Sequence, residues 1–81
     1  MVPEYLYLNS RDYLLRLDVY HIVFFEADGN YTNIVSANKV KHTVGMTLAK
    51  MQNLITDSLK ENAFRFVRIG KSHIVSMNYI N

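Results

Sequence analysis

The chain has 81 residues, no cysteine and a formal net charge of +2. That length allows one domain burying about 60 to 65% of the surface its unfolded form exposes. The missing cysteines exclude disulfides and thiolate metal sites and suit a reducing, cytoplasmic setting. The opening residues show no basic stretch followed by an apolar run, and no segment approaches the ~20 apolar residues needed to cross a bilayer, so a soluble protein with no membrane partner is expected.

The charge is unevenly spread. Residues 1 to 38 hold two basic against five acidic residues, a net −3, whereas residues 39 to 81 hold seven against two, a net +5. A basic second half points to a polyanionic partner, and equally to ordinary solvated charge.

In chain order, EYLYLN and YLLRL are short alternating segments separated by SRD, the punctuation of a hairpin. After the polar DVYH, the nearly all-apolar IVFFEA is expected to be a strand covered on both faces. Asp28-Gly29-Asn30 supplies residues that tolerate positive φ, so a tight turn should lead into the strand YTNIVSA. A second turn at Asn38-Lys39 leads into VKHTV and continues an antiparallel meander. From Thr47 the period changes: Leu48, Met51, Leu54, Ile55 and Leu59 form one apolar face at helical spacing, with Thr47 as N-cap and Asn62 as stop. Lys50 stands where a capping box would want Glu or Gln. FRFVRI, from Phe64, and HIVSM then read as two further strands around Gly70. The methionine in the helical stripe is core packing and calls for no cofactor.

Gly70-Lys71-Ser72 ends like a nucleotide-binding P-loop, but Arg65 occupies the position of the first required glycine, and a strand rather than a helix follows. Gly70 therefore reads as a turn or bulge residue presenting Lys71 and Ser72 in a loop, with Arg68 close by. That loop is either an ordinary polar turn or one suited to a phosphate backbone or a guanine edge.

Three segments in order, IVFFEADGNYTNI (Ile22 to Ile34), MTLAKMQNLI (Met46 to Ile55) and FVRIGKSHIVSMNYI (Phe66 to Ile80), resemble the LytTR-type DNA-binding domain of bacterial transcriptional regulators, the LytR/AlgR-like response regulators. The resemblance covers about residues 4 to 80. It implies a mainly β fold of small antiparallel sheets with one substantial α-helix, and it implies that sheet-edge loops, not a recognition helix, enter successive major grooves. Carried over by position, it puts one DNA-contacting loop beside Tyr31, at Asn30, Thr32 and Asn33. It puts another at Gly70, Lys71 and Ser72 with Arg68 alongside, and gives Glu26, Tyr31, Ile74 and Val75 supporting roles in the fold. Gly70 replaces the family's usual His and Ser76 its usual Asn. The family pattern continues into closing strands, so residues 1–81 are expected to be a single domain short of the last strands, without room for an amino-terminal receiver domain.

The function expected is sequence-specific binding of double-stranded DNA in a transcriptional regulator. Phosphate contacts from Lys39, Lys41, Arg68 or Lys71 would set register, and side chains around Thr32, Asn33 and Lys71 would read base edges. Dimeric or tandem binding to paired repeats is implied by the resemblance alone. The competing reading is a protein-interaction or dimerisation module without DNA contact. Glu26 and Asp28 offer little as a catalytic carboxylate pair in so small a chain, so no enzyme is expected. His21, His42 and His73 lack metal-ligand spacing, so no metal or cofactor is expected. Tyr5, Tyr7 and Tyr13 in alternating strands fit packing better than base stacking.

Overall fold

Leucine alternation builds the first hairpin in the computed structural model, which describes residues 4–9 and 14–79. Strands β1 (Tyr5–Asn9) and β2 (Leu14–Asp18) pair antiparallel with Leu6 opposite Leu17 and Leu8 opposite Leu15. All four leucines therefore share one face, and all four are buried. The SRD segment expected to turn this hairpin, with Tyr13, lies outside the described residues, as do Ile80 and Asn81.

The polar DVYH forms a short 3-10 turn at Val19–His21, because the Asp18 carboxylate accepts the Tyr20 N–H (3.0 Å) and Val19 donates its own N–H to the Glu4 carbonyl (2.9 Å). The turn redirects the chain into β3 (Ile22–Asp28), which continues through a tight turn into β4 (Tyr31–Ser36) and then β5 (Lys41–Val44). Gly29 adopts φ +60°, the conformation this tight connection requires.

Helix α1 (Leu48–Leu59) follows, with the Thr47 hydroxyl accepting the Lys50 N–H at 3.3 Å, so the expected N-cap is present. Leu48, Met51, Ile55 and Leu59 are buried and Leu54 packs partly against them, as the helical spacing predicts. The expected stop at Asn62 is not observed. The helix ends at Leu59, where Lys60 turns to φ +49°, and a 3-10 segment runs from Lys60 to Arg65. Asn62 instead donates to the Glu4 carboxylate at 3.1 Å, tying this segment to the N-terminal hairpin. Strand β6 accordingly starts at Phe66 rather than Phe64, and the Arg65 guanidinium lies over the rings of Tyr20 and Phe64.

Strands β6 (Phe66–Ile69) and β7 (His73–Ser76) form the last hairpin. It does not extend the meander beyond β5. The five-stranded sheet has the order β5-β4-β3-β7-β6, entirely antiparallel, so β7 pairs with the far side of β3 and makes β3 the central strand. Helix α1 supplies the crossover from one edge of the sheet to the other, and its apolar stripe covers the face it crosses. Phe25, Ile34 and Ile74 stand side by side there, with Phe66 edge-on to Phe25 at 5.5 Å between ring centres.

The opposite face of this sheet is not covered among the described residues, which corrects the expectation that β3 is enclosed on both sides. Phe24 is half-buried on it by its lateral neighbours Val35 and Val75, which sit opposite it in the sheet, and by the His73 ring 5.9 Å away.

Candidate nucleic-acid interface

Strand direction decides which loops meet. Glu26 lies opposite His73 and Asp28 opposite Tyr31, so the end of β3, the start of β4 and the start of β7 share one end of the sheet. The turn at Gly29-Asn30 and the turn at Gly70-Lys71-Ser72 are therefore at the same end of the sheet, where the Ala27 N–H of β3 donates to the Ser72 carbonyl at 2.7 Å. Strand β5 returns to the same end, with Val44 opposite Thr32, so α1 begins there four residues later.

The second turn is built around Gly70, whose φ of +61° favours a residue without a Cβ. Its carbonyls point inward. Arg68 donates from Nε to the Gly70 carbonyl (3.2 Å) and from Nη2 to the Lys71 carbonyl (3.3 Å), while Ser72's carbonyl takes the Ala27 N–H. Lys71 and Ser72 are exposed at the tip, and Asn30 is exposed on the first turn. Asp28, exposed, closes β3 at the same end of the sheet.

The remaining expected site residues are arranged differently. Lys39, at φ +69°, and Lys41 lie where β4 passes into β5, at the other end of the sheet. Five residue steps along β4 separate the two ends by about 17 Å. Both lysines are exposed.

Thr32 and Asn33 do not lie in a loop. Asp28-Gly29-Asn30 completes the turn, so the strand resumes at Tyr31, and both residues fall inside β4 at 0% and 5% exposure. Thr32 donates from Oγ1 to the Met46 carbonyl at 2.8 Å, which fixes the segment between β5 and α1. Asn33 faces the uncovered side, accepting the Thr43 hydroxyl at 2.6 Å and donating to Glu26 at 3.4 Å. Both side chains hydrogen-bond protein atoms within the fold instead of standing in an open loop. Tyr31, given a supporting role in the fold, is 55% exposed, whereas Ile74 is buried as expected.

The Asn33 contacts belong to a polar row that sequence reading missed. Glu26 reaches His73 Nε2 at 3.4 Å, and His73 Nδ1 lies 2.9 Å from the Ser72 hydroxyl. Thr43, Asn33, Glu26, His73 and Ser72 thus link four strands to the exposed turn. With the ring hydrogen on Nε2, toward Glu26, Nδ1 accepts from the serine hydroxyl. Strand alternation is the signal that could have found this row, because the four strand residues all face the uncovered side once the register is known.

Compared with known families, residues 12–81 match the family described as LytTr DNA-binding domain. The chain belongs to the LytTR family. A search of curated proteins and a search of solved structures returned no match. The LytTR assignment makes this a DNA-binding domain of a family that serves transcription regulation, not an enzymatic one. The observed architecture, two small antiparallel sheets and one helix, is that expected of the LytTR fold. No helix among the described residues is long and apolar enough to cross a membrane.

Proposed function

We propose that this LytTR domain binds double-stranded DNA with sequence preference through the end of its five-stranded sheet, in a bacterial cytoplasmic transcriptional regulator. The observation that carries the reading is the pair of turns. Asn30 and Lys71-Ser72 are exposed on two turns at the same end of the sheet, while the carbonyl oxygens of the second turn point inward. An anionic groove edge then meets an ammonium, a hydroxyl and a side-chain amide. The turns enter a major groove. Lys39 and Lys41, at the far end, hold phosphates on a different part of the duplex and set register.

Selection of bound sequences from a random duplex pool at physiological salt tests this, and enrichment of a short motif, single or paired, is the expected outcome. Replacing Lys71 with Ala separates its two possible contacts. A phosphate contact predicts that the slope of log K against log salt shrinks by about one unit, uniformly across sequences. A base contact predicts relaxed preference at one position.

A second reading has its own observation. Val67 and Ile69, 41% and 54% exposed, lie on the uncovered face of β6, where an apolar partner could rest. A pool that remains flat at low and physiological salt would move the assignment to an interaction module.

A further inference from the structure

The guanidinium of Arg68 lies beside the exposed turn, where a phosphate contact would be the obvious role. Its hydrogen bonds argue for another. Nε and Nη2 are committed to the Gly70 and Lys71 carbonyls, and Nη1 donates to Oε1 of Gln52 on α1 at 2.8 Å. A guanidinium carries donors only, so the amide of Gln52 must present its oxygen, and the orientation of that side chain is fixed by chemistry. On β6, Arg68 lies opposite Ile74, on the side of the sheet that α1 covers. All three of its nitrogens thus face protein acceptors.

We infer that Arg68 is a positioning residue for the Lys71 turn rather than a phosphate contact, and that Gln52 aims it. Arg68 draws two successive carbonyl oxygens inward, and the Ala27 N–H holds the third. The negative ends of three consecutive peptide groups are thereby turned from the surface that a phosphate or base edge approaches, and the Lys71 ammonium is left as the outward charge. A planar fork is required for this. Lysine at the same position offers one compact ammonium that cannot span two carbonyls and a side-chain oxygen in fixed geometry. Gln52 holds the fork against the helix, so the helix that builds the core also sets the pose of the turn. This rests on the DNA-binding reading for its purpose, but the geometry of the turn is measurable without DNA.

The test uses the 81-residue chain with Gln52→Ala, Gln52→Glu, Arg68→Lys and Arg68→Ala. Backbone amide order and hydrogen exchange at Gly70–Ser72 are followed by NMR without DNA, and duplex affinity is measured over a range of salt. Gln52 is exposed, so its variants are expected to melt as the wild type does. Gln52→Ala and Arg68→Lys should speed amide exchange in the turn and weaken duplex binding by about three- to tenfold, the effect of one or two lost hydrogen bonds. The salt slope should stay unchanged in both. Gln52→Glu keeps the acceptor and should restore wild-type exchange. Unchanged turn amides in Gln52→Ala and Arg68→Lys, with a slope reduced by one unit in Arg68→Ala, would overturn the inference and make Arg68 a phosphate contact. If the wild type binds no duplex at all, the DNA reading fails, and the amide measurements alone decide whether the clamp exists.

Discussion

Thr32, which the family resemblance placed in a loop, is buried inside β4, where its hydroxyl holds the Met46 carbonyl. Thr32→Val keeps the shape but strands that carbonyl, and should lower unfolding free energy by about 1 to 2 kcal/mol in urea titrations. Duplex affinity of the folded fraction should not change. The signal for the correct placement was available, because Asp28-Gly29-Asn30 already supplies the turn and YTNIV carries three β-branched residues, Thr32, Ile34 and Val35. Gly70, Lys71 and Ser72 were legible as a turn for the converse reason: the glycine interrupts two strand-like runs. What sequence could not show is that Arg68 belongs to that turn's interior, since Gln52, sixteen residues earlier, completes the contact.

At the level of elements, the start of the helix was more legible than its end. Thr47 announces α1 through its hydroxyl, and the apolar stripe from Leu48 to Leu59 is buried as spaced. The end is set instead by Lys60, a residue with a Cβ held at φ +49° and ψ −107°. Nothing in its side chain favours that conformation, which tertiary contacts such as the Asn62 bond to Glu4 hold in place. Lys60→Gly should therefore stabilise the domain by about 1 kcal/mol, read as a raised midpoint in thermal or urea unfolding. An unchanged or lower midpoint would mean that the lysine is not strained there. The start of β6 was misjudged for a related reason: Phe64 and Arg65 alternate like strand residues, but Arg65 turns toward Tyr20 and the Asn78 carbonyl of its side chain. The Tyr20 contact joins residues 45 apart and leaves no local trace.

Over the whole molecule, the charge asymmetry of the sequence does not become one basic face. Lys71 stands at one end of the large sheet, Lys39 and Lys41 at the other, and Asp28 at the same end as Lys71. Asp28→Asn should thus strengthen duplex binding about two- to fivefold at low salt, with the gain fading as salt rises, because it removes a like charge from the approach to phosphate. Fluorescence anisotropy at two salt concentrations would measure it, and equal affinity at both would place that turn away from the duplex. The fold class was readable because each strand and the helix carry their own periodicity; the sheet order was not, because inserting β7 beside β3 is decided by the crossover of α1. The central position of β3 has a kinetic consequence. Phe25 pairs with Ile34 nine residues on, but with Ile74 only after forty-nine. The β3–β4 hairpin closes a short loop and can form early, whereas the β3–β7 ladder bears most of the loop-closure entropy. Since Ala27 and Ser72 are bonded across that second ladder, the contact that holds the Lys71 turn against β3 comes only with that ladder, and on the ribosome only after β7 has left the exit tunnel.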